Sequence, residues 1–160
     1  MAHLPITSGA DNSILRTVSA PIKKVDRLLE KLIRDMHETM NLADGIGIAA
    51  PQVGVNFRLA LAKLNPGTKH ENVIVMINPE ILTHSRDKAS HEEGCLSLRG
   101  KWGSVPRFTS LTVMFFNKKM EKVVLSLDGL NARIIQHEID HLDAKLFIDR
   151  VVGEVREEEA

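Results

Sequence analysis

The chain has 160 residues, 43% of them hydrophobic, enough for one compact domain with a substantial core. Its 21 basic and 21 acidic residues cancel, so no net field draws it to nucleic acid or to an anionic membrane, and a small neutral or mildly charged ligand fits better. The one cysteine, Cys95, excludes an intramolecular disulfide and suits a reducing compartment.

No segment approaches the roughly 18 apolar residues of a membrane span, and the start lacks the apolar run of a signal peptide. The expected location is the cytosol, or an organelle after removal of a transit peptide. With no repeat and no linker, the chain reads as one domain over residues 1–152 followed by a charged tail, 153–160.

The first clear element is an amphipathic helix, in which Val25, Leu28, Leu29, Leu32, Ile33, Met36 and Met40 follow the i, i+3, i+4, i+7 rule. It stops before "DGIGIAAPQVGV", whose glycines at 45, 47 and 54 predict a turn and a short edge strand with exposed backbone. Residues 57–61 and 73–77 are aliphatic or β-branched and are bounded by "NPG" and "NPE" turns, as strands are. "SLTVMFFN" and "KVVLSL", joined by "KKME", predict an antiparallel hairpin. Asp128 offers an N-cap for a second helix reaching Leu142, and the closing "GEVREEEA" reads as a solvated or frayed end.

The second helix carries the chemistry. At about 100° per residue, Leu130, Ile134, His137 and His141 share one face. Ala132, Ile135, Ile139 and Leu142 lie nearly opposite, so the helix belongs inside the molecule, with Arg133, Gln136 and Asp140 as a polar wedge. Two imidazoles one turn apart can face a common metal, while Glu138 is rotated beside it, where a general base acting on water would stand. The competing reading makes both histidines core residues and Glu138 a surface charge, because a bare HExxH also arises by chance.

A metal site of this kind needs a third ligand. The extended zinc-protease pattern fails, since Ala144 and Phe147 stand where glycine and histidine belong. Glu154, Glu157, Glu158 or Glu159 of the tail remains available, and so does Cys95 in "EEGCLSL", a thiolate suited to Fe²⁺, Co²⁺ or Zn²⁺.

Three segments together resemble the peptide deformylase family: "GIGIAAPQVG" (Gly45 to Gly54), "EGCLS" (Glu93 to Ser97) and "QHEIDHL" (Gln136 to Leu142). They occur in the family's order and spacing, and the likeness runs from Ile14 through Val151, including "INPEI", "VPR" and "DGLNARIIQHE". One departure is Arg99, where the family commonly has a proline two residues after the serine.

The resemblance implies an α+β fold, antiparallel strands around a central metal-binding helix, with the N-terminal amphipathic helix packed outside. It implies one divalent metal on Cys95, His137 and His141, Fe²⁺ being the native ion and Zn²⁺, Ni²⁺ or Co²⁺ substitutes. The implied reaction removes the N-formyl group from the N-terminal formylmethionine of newly made proteins, releasing formate.

In that reading Glu138 takes and returns the proton, while the Gln52 amide and the Leu96 N–H stabilise the developing oxyanion. Backbone at Ile46, Gly47 and Gly94 pairs with the substrate as an added strand. Leu130 and Ile134 wall the methionine pocket, and Glu93 hydrogen-bonds at its rim. Arg107 and Asp140 form a buried ion pair behind the ligands. Arg99, Lys101 and Trp102 read as a loop with surface or packing roles, the alternative being a contact with substrate or a ribosomal surface. The partners implied are formylated nascent peptides and a transient contact with the ribosome, with no nucleic-acid or membrane role. The rivals are a zinc peptidase with no need of Cys95 and an inactive binding module of the same fold.

Overall fold

A computed structural model describes residues 3–158. The first helix runs Arg27–Leu42 (α1), capped by Asp26, whose carboxylate accepts the Leu29 N–H at 2.9 Å. Leu29, Ile33, Met36 and Met40 form its buried stripe. Leu28, expected in that stripe, is 78% exposed, one step round the helix from Leu29.

After α1 come strands Gly47–Ala49 (β1), Leu59–Leu64 (β2), Asn72–His84 (β3), Lys88–Glu93 (β4), Lys101–Phe108 (β5), Ser110–Phe116 (β6) and Lys122–Asp128 (β7). The second helix, Gly129–Leu142 (α2), follows, and Arg156–Glu157 (β8) closes the described chain. All strand pairings are antiparallel, in one sheet of order β1-β2-β3-β6-β7 and a second of order β4-β5-β8. This is the expected α+β arrangement.

β2 shows how the helices are placed. Its residues alternate: Leu59 and Leu61 pack with Ile33, Met36 and Met40 of α1, whereas Ala60, Ala62 and Leu64 pack with Ala132, Ile135, Ile139 and Leu142 of α2. The large sheet is therefore sandwiched between the two helices. Small residues face α2 (Ala49, Ala60, Ala62), which lets that helix approach the sheet closely.

Four expectations are corrected. The strand expected over 57–61 begins at Leu59, and Phe57 makes only an isolated bridge with Ala20. The "NPE" segment does not end β3: the strand passes through as a bulge, with Asn78 at φ 51° and its side chain bonded to the Ile22 N–H and carbonyl, both at 2.8 Å. Asp128 occupies the N-cap position of α2 without a side-chain capping bond. The tail is not frayed over its described part, because β8 pairs with Lys101 and Trp102 of β5. Glu159 lies outside the described residues.

The polar wedge of α2 is where the second sheet attaches. The Gln136 amide accepts from the Phe108 N–H at 3.0 Å and donates to its carbonyl at 2.9 Å, while Arg133 donates to the carbonyls of Val105 (2.9 Å) and Ala89 (2.6 Å). These side chains satisfy main-chain groups that an apolar helix face would leave unpaired. Among the described residues no helix is long and apolar enough to cross a membrane.

Candidate active site

Cys95, His137 and His141 come together with their ligand atoms all within 4.8 Å of one another. Cys95 Sγ lies 3.4 Å from His141 Nε2, close to the roughly 3.5 Å separating two ligands bound to one ion at tetrahedral angles. The histidine rings have centroids 5.0 Å apart and are inclined at 70°. The thiolate and two imidazoles suit a borderline transition-metal ion and leave further positions for water or substrate. Of the candidates for third ligand among the described residues, Cys95 is the one brought to the histidines, while Glu157 is held at β5 by β8.

Behind the ligands lies a network of buried charges. Glu93, at the end of β4, accepts two bonds from Arg107 (both 2.9 Å), one from Arg133 (2.6 Å), and is 2.9 Å from His137 Nδ1. Burial alone would raise the Glu93 pKa, but the bonds from Arg107 and His137 hold it well below the usual carboxylate range. The anion turns Nε2 of His137 toward the ligand cluster and increases the ring's basicity. Glu93, expected at a pocket rim, is among the residues lining the cleft, but both its oxygens are occupied by the network behind the ligands. The expected Arg107–Asp140 pair is present at 2.6 Å, and Arg150 reinforces Asp140 at 2.6 and 3.0 Å.

Glu138 is 4% exposed, and its Oε1 has no hydrogen-bond partner among the described residues. Burial raises its pKa to about 7, against the favourable fields of His137 and Arg107. A carboxyl group so poised both accepts and donates a proton near neutrality. Gly47 makes room for it: a Cβ built there would sit 2.5 Å from Glu138 Oε2.

Gln52 is fixed from two sides. Its Oε1 accepts the Ala49 N–H at 2.9 Å, and its Nε2 reaches Ser97 Oγ at 3.2 Å and Cys95 Sγ at 3.5 Å. The N-terminal segment straps both loops in place, Thr7 N–H donating to the Gln52 carbonyl (2.7 Å) and Gly9 N–H to that of Ser97 (3.1 Å). Leu96 opens the short 3₁₀ turn Leu96–Leu98, where the N–H has no acceptor within the turn.

These groups border a cleft of about 600 Å³ lined by Ile46, Gly47, Leu130, Ile134 and Trp102, with Glu138 at its floor. β1 is the edge of the large sheet. The Ile46 carbonyl accepts from Lys63 N–H at 2.8 Å, so by antiparallel alternation the Gly47 N–H and carbonyl face the open edge. Ile46 therefore offers its side chain to the cleft rather than its carbonyl.

Sequence reasoning left Arg133 and Ser97 without a role. Arg133 carried a usable signal, the one Arg or Lys of α2, four residues before His137 and in the polar wedge with Gln136 and Asp140; Ser97 carried none beyond its nearness to Cys95. Trp102 was expected in a loop, but it lies in β5 and packs its ring against Gly94, where a Cβ would be 2.6 Å away. Arg99 is exposed and adopts φ −57° and ψ 138°, a backbone that proline also takes.

The family model described as polypeptide deformylase matches residues 4–157. A peptide deformylase from Chlorobium phaeobacteroides is 44% identical over 92% of this chain and 79% of its own length. The crystal structure of the peptide deformylase from Thermotoga maritima superposes with a TM-score of 0.89 at 36% identity, covering 96% of this chain and 100% of that one. A class I type b peptide deformylase from Acinetobacter baumannii, with Met-Ala-Ser bound, gives a TM-score of 0.86 at 36% identity, over 94% of this chain and 99% of that one.

Proposed function

The chain belongs to the polypeptide deformylase family, metal-dependent enzymes that remove the N-formyl group from newly made peptides, and from that premise we propose that Cys95, His137 and His141 hold its metal and Glu138 moves the proton. The observation that carries this reading is the convergence of the three ligand atoms beside a buried carboxyl group of raised pKa. Fe²⁺ is the proposed native ion, with Zn²⁺, Ni²⁺ and Co²⁺ as substitutes, since all accept this donor set. Such an ion supplies Lewis acidity, making water more acidic and a carbonyl more electrophilic.

The chain's own groups do the rest. Glu138 takes the proton of the attacking water and delivers it to the departing amine, yielding formate and a free N-terminus. Gln52 Nε2 and the Leu96 N–H donate to the oxygen that gains charge as the formyl carbon becomes tetrahedral. The substrate main chain adds as a strand to the open edge at Gly47, opposite Gly94, and the methionine side chain lies against Leu130, Ile134 and Ile46. This recognition explains action on many nascent chains, and the Met-Ala-Ser bound to the Acinetobacter relative is a peptide of that kind. A cytoplasmic or organellar location and a transient ribosome contact belong to the same reading, and the lone thiol fits a reducing compartment.

Protein reconstituted anaerobically with Fe²⁺ should release formate from formyl-Met-Ala-Ser, and Cys95→Ser should lose both metal and turnover. A Cys95→Ser protein that keeps stoichiometric metal and cleaves internal peptide bonds would turn the assignment toward a zinc peptidase. Gly47→Ala tests the space around Glu138: the new methyl displaces the carboxylate, and kcat should fall by roughly 10–100-fold with metal content unchanged. Wild-type kcat in that variant would remove Gly47 from the account.

A further inference from the structure

The last residues of the described chain run along the edge of β5 that does not face β4. Val152 N–H donates to the Ser104 carbonyl at 2.9 Å, Arg156 and Glu157 pair with Trp102 and Lys101, and Glu158 N–H donates to the Gly100 carbonyl at 2.6 Å. Two glycines permit this close approach. A Cβ on Gly103 would meet Val151 at 2.6 Å, and one on Gly100, at φ +80°, would meet the Glu158 carbonyl oxygen at 2.5 Å.

Charge pairs add to the main-chain bonds. Arg156 forms an ion pair with Glu92 of β4, and Lys101 lies 3.8 Å from Glu157. The tail thus grips both strands of the small sheet at the end where Glu92, Gly94, Gly100, Lys101 and Trp102 border the cleft. Trp102 is 38% exposed and rests on Gly94, the residue proposed to flank the substrate strand.

Resting on the assignment of the cleft as the substrate site, we propose that Arg156–Glu158 is a latch that positions Trp102 as the cleft wall for substrate residues following the formylmethionine. The tail touches no reacting atom and acts through Trp102. Its loss leaves Lys101 and Trp102 of β5 unpaired on that edge and frees the indole to leave Gly94. Binding of long substrates then suffers while the chemical step persists.

Trp102 is the only tryptophan, so its fluorescence reports the latch without any turnover. In a chain ending at Gly153, and in full-length Arg156→Glu, emission should shift to longer wavelength and acrylamide quenching should rise. KM for formyl-Met-Ala-Ser should increase about fivefold, the size of a weak strand pairing with exposed ion pairs. The KM for formyl-Met amide, too short to reach Trp102, and both kcat values should change less than twofold. Adding Glu92→Arg to Arg156→Glu should restore the emission and the KM.

Unaltered emission, quenching and KM in both variants would overturn the latch, and so would equal KM increases for the long and the short substrate. If the shortened chain fails to fold, Arg156→Glu and its charge swap decide alone. Formate release by the wild type without these changes defeats the latch only; the fluorescence changes without formate release defeat the site assignment and with it the latch's role toward substrate, leaving only the tail's hold on Trp102.

Discussion

Glu138→Gln should lower kcat for formyl-peptide hydrolysis by roughly 10²–10⁴-fold while leaving one metal ion bound per chain. The amide has nearly the carboxylate's volume, so it fits the gap that Gly47 leaves beside Oε2. It keeps the shape and removes the ability to accept a proton. The loss corresponds to about 3–5 kcal/mol of barrier. Metal content should hold because Glu138 is not among the three converging ligands. Elemental analysis and formate release on the same preparation decide it, and a variant with a tenth or more of wild-type kcat would exclude Glu138 as the proton carrier.

Most of this site was readable because α2 carries two signals at once. The 3.6-residue period of Leu130, Ile134, His137 and His141 placed the histidines on one face, and HExxH gave that face a chemical meaning. The hairpin of β6 and β7 was equally plain, since alternating apolar residues flank a short polar turn. β4 was not readable: "KASHEE" has no apolar alternation, as most of its residues are exposed and its inward anchor is a carboxylate, Glu93.

Glu93 shows why the remainder stayed hidden. Its role as the anchor behind the ligands depends on Arg107 from β5 and Arg133 from α2, residues 14 and 40 positions away, and no local pattern encodes such a meeting. The tail's charges are exposed as expected, but its pairing with β5 stayed hidden for a different reason. A run of charges is ordinarily solvated, but here the main chain, rather than the side chains, supplies the pairing with β5, and main-chain groups leave no mark on composition.

Arg107→Ala should destabilise the fold by about 3–5 kcal/mol, because it strips a buried, hydrogen-bonded cation from two carboxylates that stay buried. Arg107 is 3% exposed and bridges Glu93 on β4 to Asp140 on α2, so its removal leaves like charges on the helix that carries His137 and His141 and on the strand that leads into Cys95. Glu93 retains Arg133 and Asp140 retains Arg150, which keeps the expected loss below that of isolated buried charges. Arg107→Lys restores the charge without the two-pronged bond to Glu93 and should fall between wild type and alanine. The melting temperature of the alanine variant should drop by roughly 10 °C, and metal affinity by about 10–100-fold as His137 loses its anchored partner. A melting temperature within 2 °C of wild type (roughly 1 kcal/mol or less) would show that Arg133 and Arg150 alone sustain the network, and that Arg107 does not bind β4 and the ligand-bearing helix into one unit.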